Sequence, residues 1–213
     1  MYSQSGLSSD LTAKARIRET ALALFSERGP EEVSVREVAR AAEVSPGLVM
    51  HHFGSKLGLR QAVDEQVART FDTMLDTLSD AELKDGLVGG DTTSLAESFI
   101  AGFPPGSPLP AYLRRLWLTQ DPTGDRIFHR WLAESERVLA ELEQAGVARP
   151  SSNRRVRAAF LPVNDLALLL LAPQLREALG IDIQTPAGIA TWTREAVDVY
   201  GHGAFRARDQ GET

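Results

Sequence analysis

The stretch Ser34-Val35-Arg36-Glu37-Val38-Ala39-Arg40-Ala41-Ala42-Glu43-Val44-Ser45-Pro46-Gly47-Leu48-Val49-Met50-His51-His52-Phe53-Gly54-Ser55-Lys56 constrains this chain more than any other. Ser34 with Glu37 three residues on is the pattern of a capping box at a helix start. Val35, Val38, Ala39 and Ala42 give that helix one apolar side, and the two alanines let a second short helix approach closely. Ser45 caps the second helix, with Pro46 at the first position, where no backbone donor is required. Val44, Val49 and Phe53 face inward. Pro46, Gly47, Leu48, Met50, His51 and His52 are left on exposed or rim positions. Gly54-Ser55 ends this helix, and Ser55-Lys56 opens another. Two short helices across a tight turn form a helix-turn-helix, whose second helix can enter the DNA major groove.

Before this stretch, Ser8, Ser9 and Asp10 are N-cap candidates for a first helix. Ile17, Ala21, Leu24, Phe25 and Arg28 recur at helical spacing, so its apolar side should cover the two short helices. Gly29-Pro30 ends it. Lys14, Arg16 and Arg18 form either a solvated face or a rim of phosphate contacts.

Charge by itself would not suggest DNA. The 213 residues carry a formal net charge of −6. Residues 1–60 hold eight Lys/Arg against seven Asp/Glu, and the remainder fifteen against twenty-two, so the acidity lies outside the head. The absence of cysteine excludes disulfides, thiolate catalysis and cysteine metal sites. The N-terminal residues lack the apolar core of a signal peptide. The longest apolar run, Leu166 to Ala172, falls far short of the roughly 20 residues that span a bilayer. A soluble, cytoplasmic protein with no membrane partner is expected.

The order of these residues resembles the TetR/AcrR family of bacterial transcriptional regulators. Ser34, Arg36, Glu37, Val38, Ala39, Ala42, Val44, Ser45, Gly47, Val49, His52, Phe53 and Lys56 fall in the family's register without gaps. Ala21-Leu22-Ala23-Leu24-Phe25 followed by Gly29 is similar to its first helix. Two positions depart from the family pattern. The turn carries Glu43 where glycine is usual, and a left-handed non-glycine residue costs of order 1 kcal/mol. Met50 stands where a tyrosine is common, which removes a hydroxyl that could bond a phosphate. At Leu48 many members carry a polar base reader; here the side chain either touches a thymine methyl or is shielded by Met50.

The rest of the chain reads as helices. A long connector runs from Gly58 to about Asp80, with Val63, Val67, Phe71, Met74, Leu75 and Leu78 as its stripe. A loop at Asp85–Thr93 follows, then short helices near Ser94–Phe103 and Ala111–Gln120. Longer helices come next, near Thr123–Ala145 and Asn153–Leu179, the latter with Pro162 inside it. A last helix starts at Thr185-Pro186. The whole is an all-α chain of about nine helices. It divides at 55/56 into a helix-turn-helix head and a helical body for ligand binding and dimerisation.

In the body, aromatic residues are either ordinary core or the lining of a small-molecule cavity, which the resemblance implies. The candidate lining comprises Phe71, Phe99, Phe103, Trp117, Phe128 and Trp131, with Met74 as adaptable surface. Gln120, His129 and Asn164 are its polar candidates. Asn164-Asp165 interrupts an apolar run; these groups face a dimer seam, the carbonyls freed by Pro162, or a ligand. Leu161, Leu168, Leu169, Leu171, Leu175 and Leu179 on one helix, with Ile189, Trp192, Val197 and Val199 on the next, exceed what one small body must bury. The resemblance implies a homodimer sealed by these two helices from each copy.

These observations point to a ligand-responsive, homodimeric repressor of transcription on a pseudo-palindromic double-stranded DNA operator. Arg36, Pro46 and Leu48 would face base edges. Ser34, Ser45, Met50, His51, His52 and Lys56 would set the position on the backbone, and Gly47 would allow close approach. The alternative is a helical small-molecule-binding protein whose head no longer reads DNA. The four histidines show no metal-ligand spacing, and neither a phosphate-binding Gly-rich loop nor a G-x-S-x-G elbow occurs, so no enzyme, metal or cofactor is expected.

Overall fold

The structure, a computed structural model, describes residues 4–78, 103 and 106–202. Among these residues there are eight α-helices and no strand. They are α1 (Gln4–Arg28), α2 (Val35–Ala41), α3 (Pro46–Phe53), α4 (Lys56–Leu78), α5 (Leu109–Leu118), α6 (Pro122–Gln144), α7 (Arg154–Leu179) and α8 (Pro186–His202). The all-α expectation is met. The expected loop at 85–93 and the helix near 94–103 lie outside the described residues, Phe103 excepted.

Helices form where apolar residues repeat at one-turn spacing, and α2, α3 and α7 start on side-chain caps. In α1, Ile17, Ala21 and Phe25 sit four residues apart and are fully buried. The helix runs from Gln4, so the serines and aspartate expected to cap it lie within it. It ends at Gly29, whose φ of 91° only glycine adopts cheaply and whose N–H reaches the Phe25 carbonyl at 2.9 Å. In α4, Leu59, Val63, Val67 and Phe71 make the same four-residue ladder.

The chain divides into two compact units. Met1–Thr73 with Gly106–Ala133 forms one, and Met74–Pro105 with Glu134–Thr213 the other. In the first, α1 packs on α2, α3 and α5. Leu109, Tyr112, Leu113 and Leu116 supply the buried side of α5. In the second, Leu168 of α7 meets Ile183 and Ile189, with Leu175 and Trp192 packed around them. Gly180, left-handed at φ 66°, ends α7.

One expectation about the second unit changes in detail. Leu168, Leu169 and Ile189, read from sequence as surplus apolar surface, are buried within the chain. The apolar side chains left exposed are Val156, Phe160, Val163, Leu171 and Leu179 on α7 and Val199 and Tyr200 on α8. Phe160 is 62% exposed, far from an ordinary core aromatic. The two helices meet here, since the Tyr200 hydroxyl lies 3.4 Å from the Phe160 carbonyl. By length and composition α7 is apolar enough to cross a membrane, although no uninterrupted apolar run in it is long. It also carries Pro162, Asn164, Asp165 and Pro173, and lipid-exposed polar groups are costly.

Candidate nucleic-acid interface

The interface is built from α2, α3 and the first turn of α4. At the start of α2 the Ser34 Oγ accepts the Glu37 N–H at 3.2 Å, and the Ser34 N–H donates to the Glu37 carboxylate at 2.8 Å, so the expected capping box is present. The Ser34 hydroxyl also donates to that carboxylate at 2.8 Å, and Arg28 Nη1 donates to its other oxygen at 2.9 Å. Hydrogen bonds from the Ser34 backbone and side chain, then from Arg28, hold the Glu37 carboxyl at about 2, well below its ordinary range. Ser34, expected as a phosphate contact, spends its one proton on Glu37 instead, because the carboxylate is the nearer and permanent acceptor.

The turn closes with the Glu43 N–H on the Arg40 carbonyl and the Val44 N–H on the Ala39 carbonyl. Glu43 is left-handed at φ 54°, the conformation that makes glycine usual in such a turn. Ser45 caps α3 by accepting the Leu48 N–H at 3.1 Å, which leaves its hydroxyl proton available to an external acceptor. Pro46 occupies the first position of α3. Val49 is buried, whereas Pro46, Gly47, Met50 and His51 are exposed and Leu48 and His52 half-buried. On α2, Arg36 is exposed. Arg36, Ser45, Pro46, Gly47, Met50 and His51 therefore all reach solvent on the two short helices.

Gly54, at φ 72°, turns the chain from α3 into α4, and Ser55 caps α4 through the Gly58 N–H at 2.9 Å. Gly58 makes a close joint: a Cβ there would lie 2.1 Å from the Phe53 carbonyl oxygen. Lys56 Nζ donates to the Glu31 carbonyl at 2.8 Å. That bond fixes the ammonium beside the start of α4 and leaves two of its three protons for a phosphate. Lys14 Nζ stands 5.9 Å from the Phe53 ring centroid, a cation–π distance that places α1 charge at the end of α3.

Behind the interface lies a polar network that the sequence did not disclose. Arg60 on α4 pairs with Asp121 and lies 3.6 Å from both Asp64 and Glu31. The Tyr112 hydroxyl on α5 donates to Asp64. Burial pushes the Asp64 carboxyl up, against the opposing pull of the Tyr112 hydrogen bond and Arg60. The only local signal was the four-residue spacing of Arg60 and Asp64.

The expected ligand-lining residues belong to both units. In the first unit, Phe71 and Trp131 are buried and meet edge-on with centroids 5.0 Å apart. Trp117 donates its indole N–H to the Gly124 carbonyl at 3.0 Å, and Phe128 is half-buried. Gln120 is exposed, because its φ of 53° ends α5 in a left-handed turn. His129 is exposed as well; two residues before Trp131 it lies about 200° around α6 from that buried side chain. Both therefore face solvent in this copy. In the second unit Met74 and Phe103 are buried, and the Asn164 amide donates to Asp165 at 3.2 Å. Phe99 lies outside the described residues.

Comparison with known proteins agrees with this geometry. Residues 17–63 match the family described as bacterial regulatory proteins, tetR family, and residues 106–205 match the tetracyclin repressor-like, C-terminal domain. The chain is 38% identical over 170 residues to the HTH-type transcriptional regulatory protein RaaS of Mycobacterium tuberculosis, covering 80% of this chain and 76% of that protein. It is 28% identical over 187 residues to the HTH-type transcriptional repressor Rv3405c of the same species, covering 86% of each. In fold it is similar to the Bacillus subtilis regulator FadR in complex with stearoyl-CoA, with a TM-score of 0.65, 14% identity and coverage of 90% and 99%. With its capped helix-turn-helix, its match to both family domains and its likeness to RaaS, this chain belongs to the tetR family of bacterial regulatory proteins and is a DNA-binding transcriptional regulator.

Proposed function

We propose that the chain is a homodimeric repressor that binds a pseudo-palindromic operator through α3 and leaves it when a small molecule binds the helices beyond the head. The observation that carries the DNA reading is the exposed face of α3, held between the Ser45 cap and Gly54, with Lys56 fixed beside it. Arg36, Leu48 and Pro46 face base edges; Ser45, Met50, His51, His52 and Lys56 set the register on the backbone; Gly47 lets the helix approach closely. The exposed apolar residues of α7 and α8 support the dimer, since one copy leaves Phe160, Val163, Leu171, Val199 and Tyr200 in water and the two helices meet at Phe160 and Tyr200. Two readers in one dimer then match two half-sites about one helical turn apart. A regulator of bacterial DNA works in the cytoplasm.

Effector binding is supported by the FadR complex and by the aromatic content of the chain beyond the head, where Phe71, Phe103, Trp117, Phe128 and Trp131 occur with Met74 and Asn164. Release requires the effector to favour the non-binding geometry by several kcal/mol. The test is site selection from random duplexes, followed by retention at rising salt and transcription from a promoter carrying the selected site. Salt-sensitive, sequence-selective binding that lowers transcription is expected. A dimer that selects no site and shows no salt-sensitive retention would be a small-molecule-binding protein with a silent head.

A further inference from the structure

Along α3 the buried Val49 and half-buried Phe53 define the inner side, so a groove meets the opposite one. At about 100° per residue that side has Gly47 and His51 along its middle, Met50 on one flank, and Leu48 and His52 on the other. Reading a base edge by hydrogen bond takes a guanidinium, ammonium, amide, carboxylate or hydroxyl. Between Pro46 and Phe53 none of these stands, and the only hydrogen-bonding side chains there are the imidazoles of His51 and His52. Ser45 holds the cap, Pro46 has no N–H, Gly47 has no side chain, and His52 is half-buried. What the face does offer is apolar surface: Met50 is 44% exposed and Leu48 half-buried. The one apolar group that the bases present in the major groove is the thymine 5-methyl.

We propose that α3 reads its half-site chiefly through thymine 5-methyl groups packed against Leu48 and Met50, with His51 the one exposed side chain on that helix able to hydrogen-bond a base edge. This rests on α3 being the DNA-reading helix and adds what it reads, moving Met50 and His51 from the backbone contacts given above to the base edges. The glycine at the middle of the face brings the backbone down to the groove floor, so that side chains as short as Leu48 reach the methyl groups.

The test replaces single thymines of the selected site by deoxyuridine, which pairs identically and lacks only the 5-methyl. Losing one buried methyl contact weakens binding about four-fold, and losing the symmetric pair in both half-sites about fifteen-fold. In Leu48→Ala and Met50→Ala, thymine and uracil duplexes bind alike at the position each side chain covers. Equal affinity of the wild-type protein for thymine and uracil duplexes at every position overturns the proposal, as does a selected half-site without thymine. Absence of salt-sensitive binding to any duplex overturns the assignment of α3 as the reader and this inference with it, a result distinct from tight binding that ignores the methyl.

Discussion

The Tyr112 hydroxyl donates a 2.6 Å hydrogen bond to Oδ1 of Asp64, 48 residues earlier in the chain. Burial drives the phenol well above its ordinary range, and the Asp64 carboxylate adds to this, so the proton stays on the tyrosine near neutral pH. Tyr112→Phe keeps the ring and removes the donor. Asp64 then keeps only Arg60, 3.6 Å away, in a site that already disfavours its charge, and the expected loss is about 1–3 kcal/mol, read from the urea midpoint. An unchanged midpoint would show that Arg60 alone satisfies the carboxylate.

Glu43 is held at φ 54° without the freedom of glycine. Glu43→Gly relieves about 1 kcal/mol of backbone strain and raises the melting temperature by about 2–4 °C. It also removes an exposed negative charge between α2 and α3, so DNA retention should persist to higher salt. A variant with lower stability than the parent would count against the strain.

Gly58→Ala tests the α3–α4 joint. Its methyl would meet the Phe53 carbonyl oxygen, a backbone atom that cannot rotate away. The expected cost is about 1–3 kcal/mol in thermal or urea unfolding. Operator affinity falls too, because the joint sets the spacing of Lys56 from α3.

Asp165 gives a pH signature. Burial raises its carboxyl from 3.8 to about 6, opposed by the Asn164 amide. The folded state therefore binds the proton more tightly than the unfolded chain. Its contribution to stability is complete below 3.8 and is lost as pH rises through about 6. Asp165→Asn should abolish that decline, seen as a flatter plot of urea midpoint against pH across this window. Parallel wild-type and variant curves would place the titration elsewhere.

Phe160→Glu puts a charge into the exposed apolar face of α7 and α8. Sedimentation should show a monomer where the parent is a dimer, with operator affinity reduced by far more than any change in unfolding midpoint. A dimer that survives the charge would move the interface to another face.

Helix starts and stops were legible because they depend on neighbours in sequence. The Ser34–Glu37 box, the Ser45 cap with Pro46, and the glycines at 29, 54 and 180 act within one turn. The family resemblance located the reading helix because it too rests on contiguous residues. Exposure of individual side chains was less legible. Helical spacing makes Leu168 and Leu171 equally apolar, but Leu168 is covered by Ile183 and Ile189 and Leu171 is not. Gln120 and His129, expected as polar lining, face solvent in this copy for the same reason: a turn conformation and a helix rotation decide which way a polar side chain faces.

Amino-acid order alone thus determined an all-α chain with a helix-turn-helix head, through hydrophobic period, capping chemistry and small-residue packing. Tertiary structure decided the long-range polar contacts. Arg60 reaches Asp121 across 61 residues, Tyr112 reaches Asp64 across 48, and Lys56 reaches the Glu31 carbonyl across 25. No periodicity encodes such pairs. They exist because apolar burial brings α1, α4, α5 and the turn into α6 together, and each polar group enclosed there must then find a partner.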